Sequence, residues 1–81
     1  MSNVLTFKVL TIEAEIMEKI LDHFKMETAI PDTNKWNVVR NMRGYIMALY
    51  DFEIITQDEV FDLISCLLTW TESGIFIEKY E

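Results

Sequence analysis

The sequence predicts a mainly helical α+β domain, a three-helix core with a short strand at each end in the order β-α-α-α-β, the two strands being able to pair. Three observations carry that reading. Apolar residues recur at helical spacing in three stretches, apolar and polar residues alternate near both termini, and 81 residues leave room for one core only.

Residues 3–10 place Leu5, Phe7 and Val9 on one side and Thr6 and Lys8 on the other, a period of two that predicts a strand. Thr11 then stands where an N-cap belongs. Ile12, Ile16, Met17, Ile20, Leu21 and Phe24 follow at helical spacing and predict a first helix over about 12–26. Glu13 and Glu15 fall in its first turn, where the helix dipole favours negative charge. His23 falls on its polar outer face with Lys19, Asp22 and Lys25, so a solvated histidine is expected.

The only proline, Pro31, followed by Asp32, Thr33 and Asn34, predicts a loop. Val39, Met42, Ile46, Leu49 and Tyr50 then predict a second helix from Lys35 to about Asp51, capped by Asp32, Thr33 or Asn34. Gly44 lies inside it, at a cost of roughly 1 kcal/mol relative to alanine. Residues 52–55 are too brief for an element of their own. They lead into Thr56-Gln57-Asp58-Glu59, a capping-box pattern and the strongest local signal in the chain.

The third helix is expected from there to about Thr71. Val60, Phe61, Leu63, Ile64, Cys66, Leu67, Leu68 and Trp70 cover more than half its circumference, leaving Asp58, Asp62, Ser65 and Thr69 as a narrow polar stripe. A helix so apolar is expected at the centre of the core, covered by the first two helices, the terminal strands and, where one chain falls short, a second chain. Gly74 is placed for a C-terminal cap, and residues 75–80 alternate as a terminal strand. An isolated two-stranded ribbon is marginal, so the strands should pack on a helix or extend across a dimer.

Composition narrows the function. Net charge is −7, and residues 44–81 hold eight acids with Lys79 as their only base, whereas residues 33–43 carry Lys35, Arg40 and Arg43 and no acid. A negative field repels phosphate backbones and attracts basic partners. With 51% of residues hydrophobic, the chain is more apolar than one small core needs, which points to an interface. One cysteine rules out an internal disulfide. Neither a signal-peptide pattern nor an apolar run of about 20 residues is present, so the expected location is the cytoplasm and no membrane contact is expected.

Catalytic groups are scarce. Cys66 sits within an apolar helix, as a buried small hydrophobe would, and lacks the nearby cation a reactive thiolate needs. A structural zinc site wants four Cys or His ligands and the chain has one of each. The acid pairs Glu15 with Glu18 and Asp58 with Asp62 read as solvated helix faces, and Gly44 and Gly74 alone cannot build a phosphate loop. No catalytic residue, metal or cofactor is expected, and the chain is read as not an enzyme. The second and third helices could be mistaken for a helix-turn-helix reader, but the third has no basic residue, so direct nucleic-acid binding is not expected.

Two candidate partner surfaces remain. Asn37, Arg40, Asn41 and Arg43 flank a notch formed by Gly44 and Ala48, which lie four residues apart and so share one helix face. That notch should receive another part of the same chain, or else a partner or second subunit. Asp58, Glu59 and Asp62, with Asp51 and Glu53, form an acidic side that could be simply solvated, steer a basic protein, or imitate a nucleic-acid backbone. The run at 45–68 has the general look of small helical proteins of phages and mobile elements, a pattern many short helical hairpins share, and it identifies no family. The leading reading is a non-enzymatic regulator or inhibitor that binds a basic or nucleic-acid-binding protein stoichiometrically. The alternatives are an acidic nucleic-acid mimic and a structural homodimeric subunit.

Overall fold

The computed structural model describes residues 12–76, and its regular elements are three helices: α1 (Ala14–Thr28), α2 (Lys35–Asp51) and α3 (Gln57–Ser73). The mainly helical class is borne out. The expected strands at 3–10 and 75–80 fall outside the described residues except for Ile75 and Phe76, and Thr11 falls outside them as well.

The first helix starts later than its apolar pattern suggests. Its N-cap is Glu13, which makes no side-chain capping bond. Ile12 precedes the helix yet is buried, so it joins the core from the incoming chain and merely imitates one more helical position. The helix also runs two residues past the expected end, and Thr28 Oγ1 donates to the Lys25 carbonyl at 3.0 Å. The second helix has the expected bounds. Of its three candidate caps Asn34 serves, its Oδ1 accepting from Asn37 N at 2.9 Å, while Asp32 takes the left-handed conformation of the preceding turn, φ 63°.

The capping box forms as the sequence predicts. Thr56 Oγ1 accepts from Glu59 N at 3.2 Å, and Glu59 Oε1 accepts from Thr56 N at 2.8 Å. The helix continues to Ser73 and stops at Gly74, whose φ of 83° lets its N–H donate to the Trp70 carbonyl at 2.8 Å.

Successive helices are antiparallel. Lys35 Nζ, at the start of α2, donates to the Thr71 carbonyl at the end of α3, 2.9 Å away. At the other junction Asn41 Nδ2 donates to Glu27 Oε1 at 2.9 Å, and His23 stacks on Tyr45 with ring centroids 4.1 Å apart. Packing overturns one expectation: the central helix is α2, which lies against both others, whereas no Cα of α1 comes within 8 Å of one in α3. Aromatic rings fill the space between the outer helices. Phe24 of α1 meets Trp70 edge-on at 5.1 Å and stacks on Phe76 at 4.5 Å.

The core gathers Met17 and Ile20 from α1, Val38, Met42 and Ile46 from α2, and Leu63, Cys66 and Leu67 from α3, closed at its ends by Ile12, Ile55, Val60 and Phe76. Full burial of each large apolar side chain contributes roughly 1.5–3 kcal/mol. The molecule is flat, 34 × 33 × 18 Å. That flatness leaves much of the apolar arc of α3 open, with Phe61 60% and Leu68 49% exposed. Among the described residues no helix is long and apolar enough to cross a membrane.

Candidate protein-binding surface

The connection from α2 to α3 is built by a left-handed residue. Phe52 N and Glu53 N donate to the carbonyls of Ala48 and Tyr50, and Ile54 N donates back to Leu49 O at 2.8 Å. Glu53 reaches this turn at φ 62°, a conformation that costs a residue with a Cβ about 1–2 kcal/mol. The turn sends Ile55 into the core and leaves Phe52 and Ile54 outside, 77% and 45% exposed.

Clefts lie on both sides of the ridge made by Ile54 and Thr56. One, of about 450 Å³, is lined by Tyr50, Asp51, Glu53, Ile54, Ile55 and Thr56. The other, of about 480 Å³, is lined by Ile12, Glu13, Ile16, Ile54, Thr56 and Glu59. Four carboxylates border an isoleucine ridge, and among the described residues no lysine or arginine lines either cleft. Asp58 stands exposed beside them in the first turn of α3. Chemically this surface suits a cationic segment that brings an apolar side chain with it.

The acidic residues singled out in the sequence divide. Asp58 and Glu59 belong to this end of the molecule, although the Glu59 carboxylate also holds the Thr56 amide and so frames the ridge. Asp62 lies half-buried a turn further on, where its charge acts on Cys66. Burial first, and Asp62 second, push the Cys66 thiol up to about 11. A thiol held there stays protonated at neutral pH and is a poor nucleophile.

The residues singled out on α2 divide too. Asn41 ties α2 to Glu27 of α1, and Asn37 Oδ1 accepts from Arg40 Nη2 at 3.3 Å. Arg43, Gly44 and Ala48 are exposed, and a Cβ built on Gly44 meets nothing within 4 Å. No other described part of the chain fills the notch, and the terminal strands expected as one of its occupants lie outside the described residues. His23 is likewise not the solvated group expected. It lies flat on Tyr45, with Nε2 3.5 Å from Glu27 Oε2, because α2 presents a ring to the edge of the polar face of α1. Among the described residues, no three of His, Cys, Asp and Glu gather as a metal-binding group.

Sequence reasoning missed Ile12, Glu13, Ile16 and Ile54 as members of one surface. The available signal was the connector itself, in which Phe52, Ile54 and Ile55 are three apolar residues out of four. Compared with protein-family models, curated proteins and solved structures, the chain matches none.

Proposed function

We propose that this chain is a non-enzymatic interaction module that binds a basic segment of a protein partner stoichiometrically and thereby regulates or inhibits it. One observation carries the reading: Ile54 stands 45% exposed between two clefts bordered by Glu13, Asp51, Glu53 and Glu59. The carboxylates steer a cationic segment to the site and speed its arrival, and an apolar side chain settling against Ile54 slows its departure. The cytoplasm is the proposed site of action, since a single cysteine kept as a buried thiol fits a reducing compartment.

A second reading, an acidic mimic that occupies a nucleic-acid-binding protein, is favoured by the exposure of Asp51, Glu53 and Asp58 along one edge. The two readings differ in what Ile54 does. The test captures a partner with the immobilised chain and then measures the Kd of the purified pair. Covering the exposed half of Ile54 contributes about 1–1.5 kcal/mol, so Ile54→Ser should weaken binding roughly tenfold. Neutralising Glu13, Glu53 and Asp58 together should weaken it further and flatten its salt dependence. A partner insensitive to Ile54→Ser but lost on neutralisation supports the mimic; one insensitive to both overturns the assignment of this surface.

A further inference from the structure

We propose that the outer face of α2 is a contact surface for a second copy of this chain, packed antiparallel about a two-fold axis that crosses α2 close to Gly44. Val38, Met42 and Ile46 turn into the core, so the opposite side of the helix carries Trp36, Arg40, Gly44, Met47 and Asp51, all exposed. Their spacings of four, four, three and four align them in one column. At 1.5 Å per residue that column is about 22 Å long. Apart from Lys35 Nζ, 5.7 Å from the Trp36 ring centroid, nothing described lies over it, since Trp36 is 58% and Met47 40% exposed and the space above Gly44 is open.

The occupant follows from charge and from symmetry. Arg40 and Arg43 occupy the first half of α2, and Asp51 and Glu53 stand at its far end. A second copy laid parallel sets cation on cation and acid on acid. Turned antiparallel, it brings its Asp51 end over Arg40 and its Arg40 end over Asp51, and the two-fold makes that favourable contact twice. A purely basic segment meets two arginines on this face, and a nucleic acid meets Asp51 and Glu53. A second copy satisfies both ends. Gly44, at the crossing, lets the two helices approach closely and leaves room for Met47 of the second copy. Trp36, 58% exposed, then lies at the far end of the other α2.

The test is the molar mass in solution by sedimentation equilibrium, from low micromolar concentration to about 1 mM. The wild-type chain should pass from monomer to dimer, with Trp36 emission shifting to shorter wavelength in a Trp70→Phe background. Arg40→Glu alone and Asp51→Arg alone should each remain monomeric. An equimolar mixture of those two variants should dimerise, because both of its contacts then pair opposite charges, and so should the double variant Arg40→Glu/Asp51→Arg. Circular dichroism checks that each variant is folded, and Ile54→Ser, which alters only the clefts, should dimerise as the wild type does. A monomer at every concentration, a dimer indifferent to both reversals, or reversals that the mixture fails to rescue would each overturn the proposal.

Discussion

Replacing Thr56 by alanine tests the feature that frames the candidate site. The hydroxyl accepts the Glu59 amide at 3.2 Å, and the Glu59 carboxylate accepts the Thr56 amide at 2.8 Å, so both bonds depend on one local geometry. Losing a threonine N-cap costs about 1 kcal/mol, with a range of roughly 0.5–2. The upper half of that range applies if the returning carboxylate loses its place as well. At about 0.05–0.15 kcal/mol per residue, a domain of this size has only some 4–12 kcal/mol of stability in all. A loss of 1 kcal/mol lowers Tm by about 4–8 °C in a chain this short. Thermal unfolding followed by circular dichroism is the assay, with Thr56→Ser, which keeps the oxygen, as the control. Faster amide exchange over Gln57–Val60 should accompany the loss, because the first turn of α3 would fray. If Thr56→Ala and Thr56→Ser melt together at the wild-type temperature, the capping box does not hold this end of the molecule as described.

Four further outcomes are expected. Gly44→Ala meets open space, so only helix propensity changes; at low micromolar concentration, where the chain is expected to be monomeric, Tm should rise by an amount corresponding to about 1 kcal/mol, and a fall would contradict the environment described for Gly44. Cys66 should react slowly with a thiol reagent at pH 8 in the folded chain and rapidly once unfolded. Because burial holds the folded thiol at about 11 against an ordinary 9.0, the folded state retains a proton that the unfolded state releases between those values. Stability should thus be unaffected by this group below pH 9 and decline by on the order of 2 kcal/mol by pH 11, and a Cys66→Ala chain should lack that decline. Finally, His23→Ala removes the stack on Tyr45 and should cost about 1 kcal/mol in urea unfolding, whereas Lys19→Ala on the exposed face should cost less than about 0.5 kcal/mol.

What the sequence discloses here depends on the range of the interactions involved. The capping box was legible because Thr56 and Glu59 are three residues apart and satisfy each other without help from the rest of the fold. The bounds of α2 were legible for a similar reason, with Pro31 to Asn34 halting one helix and capping the next. The start of α1 was misplaced because burial of Ile12 and helical membership of Ile12 look alike in an apolar pattern. The central position was given to α3 because hydrophobicity measures how much of a helix is apolar, not how much is covered. Phe61 and Leu68 remain exposed, while α2, with Asn37, Arg40 and Arg43 on it, is central because both its neighbours pack against it.

Half of the candidate site was legible in the same way. The acids at 58 and 59 stand out from charge alone, but Ile54 joins Ile12, Ile16 and Glu13 only after Glu53 takes a left-handed turn that no glycine or asparagine announces. The stack of His23 on Tyr45 crosses two helices and leaves no local trace. Helical spacing could order Trp36, Arg40, Gly44, Met47 and Asp51 along α2. Only packing could show that this column faces outward.

The central claim, that the ridge at Ile54 and its carboxylates receive a basic segment with an apolar anchor, is tested most directly by amide chemical shifts of the isotope-labelled chain. Two short amphipathic peptides with the same leucines are titrated in, one with lysine and one with glutamate at every polar position. The account predicts shifts over residues 12–16 and 50–59 with the lysine peptide, reduced by added salt, and none there with the glutamate peptide. Equal responses to the two peptides, or a lysine-peptide response confined to residues 36–47 of the outer face of α2 while residues 50–59 stay silent, would contradict it.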